Sequence, residues 1–537
     1  MDLETKSING TLIPYCVSIF DGKKAYSFYI DEFESSENML KASIKFILKR
    51  KFNKHRVYLH NFSYFDGIFL MKIISDLVDA EKINPVIRDN RIINLRVEYE
   101  SEKFKKDINK KDSKIKYYVE FRDSYLLLTS SLENLGKTFA INEGKLEQNL
   151  PFPYKFVNEP NIKYNYVGPV PEFKFYDKIS ENDYTQLIIS MKNDGKDLSK
   201  WDLKKETLKY CEQDCKTLYY AISEFGKLIY LQFGVDISKT PTISSLAFRI
   251  FRVKFLSESN NIAILNDSIY DFIYQGYYGG AVDAYIPAGH NIKSSYVNYL
   301  YPTSMKINPM PVGNPYYFEG DLDYFNKINF NYPKDKNKIL YSNLNDIFNL
   351  NKFNEFEKFL ILILNPYNNK GVLCNSINLP YGILEVSLET PKKEVWNEPI
   401  LLKKHKVGEG GIRTIVPVGN WKGVYFSEEL YNAVNKNNSH NFKTNRGFLF
   451  RQGNLFKEYV EILFSLRINS PKDSPLNAIS KLLLNSLYGR FGMNPEKPNH
   501  IILGDNNDKD KIYLHNEVTN IIDFGNGKEL YTYTPKF

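Results

Sequence analysis

The chain is poor in the features that mark secreted and membrane proteins. Only four cysteines occur in 537 residues, Cys16, Cys211, Cys215 and Cys374, and none forms a metal-type C-x-x-C pair. Their scarcity argues against a disulfide scaffold and for a reducing compartment. Cys211 and Cys215 stand four apart, as two zinc ligands on a helix do, but no second pair accompanies them, so no zinc site is read there. No run of about 18 or more apolar residues is present, which argues against a membrane span. The opening residues MDLETKSING lack the basic and apolar regions of a signal peptide and the Arg-rich, acid-poor pattern of a transit peptide. The protein is therefore expected to act in the compartment where it is made. No fixed-period repeat is visible.

What is present is bulk and aromatic surface. A chain of 537 residues has room for roughly three to four domains, each with its own core. Charged residues make up 25% and hydrophobic residues 43%, the balance of an ordinary soluble globular protein. The net charge of +8, from 71 Lys+Arg against 63 Asp+Glu, is compatible with a polyanionic partner but does not single one out. The 40 Tyr and 37 Phe share AT-rich codons with the abundant Asn, Ile and Lys. An AT-biased genome accounts for them more simply than selection for stacking surfaces.

Residues 11–30, TLIPYCVSIFDGKKAYSFYI, read as two strands around a turn at Asp21-Gly22. Residues 36–51 carry apolar side chains at helical spacing, and 56–62 form a short strand. The strand, helix, strand order continues to about residue 225 and predicts an α/β domain. The Lys-rich stretches 103–116 and 334–338 read as solvated loops. From about 375 a β-rich region, 379–389 and 411–427, gives way to helical patterns at 454–468 and 475–488.

Three short segments carry chemistry when taken together. In Asp2-Leu3-Glu4-Thr5, acids at i and i+2 of a strand share one face, about 6–7 Å apart. That suits two Mg²⁺ ions roughly 3.5–4 Å apart, the arrangement for in-line attack of water on a phosphodiester. His60-Asn61-Phe62-Ser63-Tyr64-Phe65-Asp66-Gly67 puts an acid at a strand-to-helix turn, where an ordinary polar turn is an equal reading of the segment alone. In Tyr210-Cys211-Glu212-Gln213-Asp214, Tyr210 and Asp214 are i and i+4 on one helical face; alone, such a pair is more often a hydrogen bond at the edge of a core.

In this order and spacing the three segments resemble the exonuclease motifs of proofreading family B DNA polymerases, D-x-E, N-x₂₋₃-(F/Y)-D and Y-x₃-D. The resemblance implies that Asp2, Glu4, Asp66 and Asp214 are ligands for two Mg²⁺ ions, with Mn²⁺ as a substitute. It makes Tyr210 the water-orienting residue and Asn61 a primer-terminus contact. Ser131-Leu132-Glu133-Asn134-Leu135 resembles the (S/T)-L-x₂-hydrophobic motif of protein-primed polymerases, which touches single-stranded DNA and the terminal protein; a helix start capped by Ser130 or Ser131 fits these five residues equally well. Tyr277-Tyr278-Gly279-Gly280 resembles the Y-x-G-G motif, with Tyr277, Gly279 and Gly280 at the DNA backbone; alone it reads as a glycine turn. Lys481 to Gly489 matches motif B, K-x₃-N-S-x-Y-G, placing Lys481, Asn485 and Tyr488 on one helical face for the incoming triphosphate, base-pair edge and sugar. Arg467, one helix earlier, is a second candidate for the triphosphate. The resemblance looks closest to polymerases of linear mitochondrial plasmids.

The pattern is broken at motif A. The family reads D-x-x-S-L-Y-P; here Tyr296-Val297-Asn298-Tyr299-Leu300-Tyr301-Pro302 has Tyr at the Asp position, and a phenol of pKa about 10 is a poor Mg²⁺ ligand. Tyr301 keeps the place that screens the sugar 2′ position. The Y-x-D-T-D hairpin of motif C and the later lysine motif are absent, and Asp2 directly follows the initiator Met where a strand bearing a metal ligand normally has residues before it, so both ends read as cut. Asp321 and Asp323 read as surface acids. The expected architecture is α/β, multidomain α+β: a ribonuclease H-like exonuclease domain (1–225), a linker and palm start (226–305), a palm insertion of terminal-protein-region type with palm strands (306–445), fingers (446–495) and a palm remainder (496–537). The expected function is that of a DNA-directed DNA polymerase replicating a linear plasmid, a nucleotidyltransferase with proofreading exonuclease, in a form that does not extend primers. The alternatives are a stand-alone exonuclease and an inactive DNA- or terminal-protein-binding fragment. Implied partners are a single-stranded 3′ end, primer-template DNA, dNTP and a terminal protein, with no membrane. The mitochondrion is the expected location and the cytoplasm the alternative.

Overall fold

The computed structural model describes the chain except for residues 108–109, 142–145, 147–150, 178, 258–260, 266, 281–287, 298, 321–380, 391–400, 408–410, 438–440, 494–496, 506–508 and 537. It divides into two compact units, Met1–Lys254 with Ile462–Phe537, and Phe255–Glu461.

The first unit opens on an antiparallel meander of β1 (Asp2–Ile8), β2 (Thr11–Phe20) and β3 (Ala25–Tyr29). The expected turn joins β2 to β3, and the Asp21 carboxylate accepts from the backbone N–H groups of Lys23 and Lys24. Helix α1 (Ser36–Ile47) starts on Ser35, whose hydroxyl accepts from the N–H of Asn38, and buries Met39, Leu40, Ile44 and Ile47. Strand β4 (Arg56–Leu59) leads into α2 (Asp66–Leu77). With β5 (Ile83–Arg88), β6 (Arg91–Asp107) and β7 (Lys110–Asp123), β4 forms a sheet of order β4-β7-β6-β5. Here β4 and β7 are parallel and the other pairs antiparallel.

The Lys-rich stretch 103–116 corrects the expectation of a loop. Apart from residues 108–109 it lies in the far arms of β6 and β7, paired from Leu95 opposite Phe121 out to Asp107 opposite Lys110. A charge run reports only that side chains are solvated. A two-stranded ribbon still satisfies its backbone groups across the ladder. The stretch 334–338, the acids Asp321 and Asp323, and Cys374 lie outside the described residues.

The long helix α4 (Leu203–Phe233) begins on Asp202, whose side chain accepts from the N–H of Lys205, and stops at Gly234 in the left-handed region at φ 65°. It packs over β1, β2 and β3. Leu3, Val17, Ile44, Leu70, Val97 and Phe121 share one buried core, each fully buried side chain of this kind contributing about 1.5–3 kcal/mol. Residues 499–535 add an antiparallel sheet in the order Asn499–Gly504, Lys528–Pro535, Asn516–Asp523. Its Ile502 and Leu530 join that same core. Lys528 Nζ donates to the carbonyls of Ser75 and Val78, and Asn526 Nδ2 to Asp76 Oδ1 at 2.6 Å. The closing segment is thus pinned to the end of α2.

The second unit is built on a four-stranded antiparallel sheet in the order Met310–Glu319, Asn441–Gly453, Gly382–Thr390, Gly419–Phe426. Leu384, Val386, Tyr425 and Leu449 fill its core. The expected helical patterns at 454–468 and 475–488 are the helices Lys457–Ile468 and Pro475–Ser486. Among the described residues no helix is long and apolar enough to cross a membrane.

Candidate exonuclease metal centre

Strand β1 is held by β2, with Asp2 opposite Ser18 and Glu4 opposite Cys16, and the register shifts between Glu4 and Thr5. On the helical side Cys211 Sγ lies 3.7 Å from Asp2 Oδ2 and 3.5 Å from the Asp2 carbonyl, while Cys215 Sγ donates to the carbonyl of Ser18 at 3.1 Å. The two thiols, spaced one helical turn apart, therefore seat α4 on the strands rather than bind zinc as a pair. Potential ligand atoms of Asp2, Glu4 and Cys211 all lie within 4.8 Å of one another.

Asp66 reaches the same place from the start of α2. Asn61 takes the left-handed conformation, φ 64°, which Asn tolerates better than most residues. Its carbonyl accepts from the N–H groups of Tyr64 and Phe65. Gly67 follows because a Cβ there would stand 2.6 Å from the carbonyl oxygen of Phe62. A buried carboxylate that the sequence reading passed over, Asp123 at the end of β7, fixes this turn: its Oδ2 accepts from Ser63 N–H at 3.0 Å and its Oδ1 from Tyr125 N–H at 2.9 Å. Asp66 itself is 2% exposed, and its Oδ1 is buried with no hydrogen-bond partner among the described residues.

The electrostatics match this crowding. Burial raises the Asp2 carboxyl to about 6. Burial, then the charges of Asp2, Asp214, Cys16 and Asp66, drive Glu4 well above the usual carboxylate range. Burial and Asp2 do the same to Asp66. Buried like charges raise one another's pKa and call for a cation. An orphaned buried oxygen among mutually repelling hard oxygen donors fits Mg²⁺ or another hard divalent ion.

Tyr210 and Asp214 project from α4 toward these acids. Burial and then Asp214 push the Tyr210 phenol up, with Glu4 and Asp2 adding to the shift. Tyr154, absent from the sequence reading, packs edge-on against Tyr210 and feels Glu4 and Asp214 as well. Phe152 covers the other ring contact, 5.0 Å between centroids. The only sequence signal was the aromatic cluster 152–156 in a segment with no period. Ser131 caps α3 (Leu132–Gly136), its hydroxyl accepting from the N–H of Asn134 at 3.3 Å; Ser131 is exposed and Leu132 half-buried.

Comparison with known proteins identifies the family. The family described as DNA polymerase type B, organellar and viral, matches residues 47–361 and 361–537. The chain belongs to this family. It is 34% identical over 551 residues to a "Probable DNA polymerase" of Neurospora intermedia, covering 99% of this chain and 49% of that protein. It is 31% identical to another of the same description from Ascobolus immersus, covering 95% and 36%. The chain thus spans about half or less of the length of these relatives. Solved structures of Phi29 DNA polymerase share the fold. The complex with primer-template DNA and incoming nucleotide gives a TM-score of 0.54 at 16% identity over 99% of this chain and 72% of that one. The complex with single-stranded DNA gives 0.52 at 16% over 99% and 71%.

The residues expected at the polymerase centre of such family B proteins are placed as follows. Lys481, Asn485 and Tyr488 are exposed along one side of the helix Pro475–Ser486 and its continuation, while Ile479, Leu483, Leu484 and Leu487 are buried on the other. Arg467 leans on the start of that helix, Nη1 3.5 Å from the Asn477 carbonyl. In the other unit, Tyr301 is exposed on the helix Leu300–Ile307, and Tyr296 is 84% exposed. Tyr277 is exposed; a Cβ at Gly279 would meet nothing within 4 Å, and one at Gly280 only the Tyr301 hydroxyl at 3.4 Å. The local fold does not demand either glycine.

Proposed function

We propose that this chain carries the 3′–5′ exonuclease of a protein-primed family B DNA polymerase, hydrolysing single-stranded 3′ ends with two Mg²⁺ ions. The observation that carries the reading is Asp66 Oδ1, buried without a hydrogen-bond partner among the described residues, beside acids that raise one another's pKa. Asp2, Glu4, Asp66 and Asp214 hold the ions, which when bound supply a hydroxide-like nucleophile and neutralise the charge on the leaving oxygen. Tyr210 orients the attacking water. Asn61 holds the terminal nucleotide, and Ser131 and Leu132 support the strand behind it. Mn²⁺ substitutes for Mg²⁺ in such an oxygen-rich site.

The same reading assigns the exposed face of Lys481, Asn485 and Tyr488, with Arg467 and Tyr301, to the incoming dNTP, and Tyr277, Gly279 and Gly280 to primer-template DNA. Residues 1–225 form the exonuclease domain, 226–305 the linker and palm start, 306–445 the insertion that meets a terminal protein, 446–495 the fingers and 496–537 the palm remainder. With Tyr296 in place of the motif A carboxylate, a two-metal polymerase centre loses a ligand it needs, and this chain does not extend primers. The organellar and viral character of the family favours the mitochondrion as its location.

The test is incubation of the full chain with a 5′-labelled single strand and Mg²⁺. Stepwise shortening from the 3′ end, absent in Asp66→Ala, is expected. Equal shortening by wild type and variant would defeat the exonuclease reading. Nucleotide incorporation on a primed template, abolished by Lys481→Ala, would defeat the claim about extension.

A further inference from the structure

The far end of β1 opens on a cavity of about 930 Å³, a volume suited to a small organic ligand. Three stretches of the first unit wall it: Lys6 to Asn9 at the end of β1, Ile30 and Asp31 after β3, and a segment within 158–165. None of Asp2, Glu4, Asp66, Tyr210 and Asp214 lines it. The walls are tied together. Ser7 N–H donates to Asn158 Oδ1 at 2.8 Å, and the Tyr29 hydroxyl to the Tyr164 carbonyl at 2.7 Å. Tyr15 stacks on Tyr164 with ring centroids 5.4 Å apart and planes at 24°, which holds that ring in place.

The wall holds a buried cation with no anion to match it. Lys6 is 5% exposed. Its ammonium donates to the carbonyls of Glu159, at 3.2 Å, and Ile162, and stands 5.7 Å from the Tyr164 ring centre. An ammonium has three N–H donors, and these two carbonyls occupy two of them. Among the described residues no carboxylate lies within ion-pair distance of Lys6. The acid in the wall, Asp31, is engaged by Lys204 at 2.7 Å, while Lys163 adds a second, exposed cation. A buried charge without a counter-charge is costly, and an anion entering the cavity relieves that cost.

The rest of the wall narrows the identity of that anion. Ile8, Ile30, Pro160 and Ile162 give it apolar surface, and Tyr164 gives it an aromatic ring beside the ammonium. Asn9 and Asn165 add amide groups that both donate and accept. Inorganic phosphate would fill a small part of the volume and leave the apolar surface wet. A fatty acid would cover that surface but leave the amides unpaired. A phosphate joined to a sugar and a flat base meets all three kinds of wall. We propose that this cavity binds one free nucleoside phosphate, with the phosphate at Lys6 and Lys163 and the base against Tyr164 and Ile162. Two sources have this chemistry: the deoxynucleoside monophosphate that a 3′–5′ exonuclease releases, and the deoxynucleoside triphosphate that a polymerase consumes. The site itself does not rest on the exonuclease reading.

The experiment is calorimetric titration of the full chain with dAMP and, separately, with dATP, in chelator. No divalent ion is present and nothing is hydrolysed, so failure of the exonuclease reading would leave this test intact. Saturable binding of at least one nucleotide is expected, and the tighter of the two names the source that fills the site. Asp66→Ala and Lys481→Ala, which serve other sites, should titrate like wild type. Lys6→Met should weaken binding about 10-fold or more, the loss of a charge-assisted hydrogen bond. Because Lys6 also holds the segment 159–162, two further variants carry the test if that one misfolds. The exposed Lys163→Gln should weaken binding about three-fold. Tyr164→Leu should weaken it about 10-fold, while Tyr164→Phe stays within about two-fold. Thermal melts that match wild type validate each comparison. No binding of either nucleotide, inorganic phosphate or laurate binding as tightly as dAMP, or unchanged affinity in both Lys163→Gln and Tyr164→Leu would overturn the proposal. So would loss of binding in Asp66→Ala or Lys481→Ala, which would move the ligand to one of the sites already described.

Discussion

Tyr154 and Tyr210 meet edge to face, ring centroids 5.9 Å apart and planes at 89°. Burial lifts both phenols, and each sits close enough to bear on the other's protonation. Tyr210 comes from α4 and Tyr154 from the short helix Tyr154–Val157 earlier in the chain. The ring contact ties that helix to the one carrying Asp214, and both phenols sense Glu4 and Asp214.

The first prediction follows from that contact. Tyr210→Phe, which removes the hydroxyl we propose to orient the attacking water, should lower the exonuclease rate on the order of 100-fold, the usual effect of losing one positioned proton-handling group. Tyr154→Phe should cost about 10-fold with KM little changed, because Tyr154 acts by orienting Tyr210. Residues acting as a unit are non-additive, so the double variant should be no slower than Tyr210→Phe. Multiplicative losses in single-turnover rates would show that the two hydroxyls act independently.

Asp66 separates catalysis from stability. Its buried, unpartnered Oδ1 makes the carboxylate costly when no cation is bound. Asp66→Asn should therefore raise the melting temperature in chelator while lowering Mg²⁺-dependent hydrolysis by about 100-fold or more. In Mg²⁺ the order of melting temperatures should reverse, since only wild type gains stability from the bound ion. A variant less stable than wild type in chelator would mean that Asp66 has a structural partner instead.

The raised Asp2 carboxyl sets a pH dependence of definite sign. Its folded pKa of about 6 stands above the ordinary value of 3.8. The stability it contributes is thus full below pH 3.8 and lost as pH rises through about 6. The loss is at most about 3 kcal/mol for a shift of this size. Other carboxylates, such as Asp21 and Asp236, are lowered and act in the opposite sense, so the comparison must be made against Asp2→Asn. In chelator the variant's advantage in melting temperature should grow between pH 4 and 7 and then level off. An advantage that shrinks over that interval would contradict the burial of the site.

Much of this site could be read locally, because strand and helix periods fix which side chains share a face. Asp2 and Glu4 on β1, Tyr210 and Asp214 on α4, and the turn that ends at Asp66 all follow from spacing alone. So does the exposed row of Lys481, Asn485 and Tyr488 opposite buried Leu483 and Leu484. What could not be read depends on contacts between distant segments. Asp123 holds Ser63 from 60 residues away, and Cys211 meets Asp2 across 209. Leu530 enters the core that holds Leu95. The 103–116 ribbon was hidden for another reason: a run dominated by lysine carries no apolar alternation to detect.

Ser131 is the position where sequence left two readings open, and one substitution separates them. Its hydroxyl accepts from Asn134 N–H at 3.3 Å and so caps α3. Ser131→Ala should cost about 1 kcal/mol through the lost cap, whatever the residue does for DNA. Ser131→Asp keeps an acceptor at the cap and adds a charge that the helix N-terminus favours, so stability should hold or rise slightly. That same charge would face the phosphates of a strand lying over the exposed Ser131 and half-buried Leu132. Ser131→Asp should then bind a single-stranded oligonucleotide with a free 3′ end several-fold more weakly at low salt, and the deficit should fade as salt screens it. Wild-type affinity in Ser131→Asp at low salt would leave Ser131 with its capping role alone.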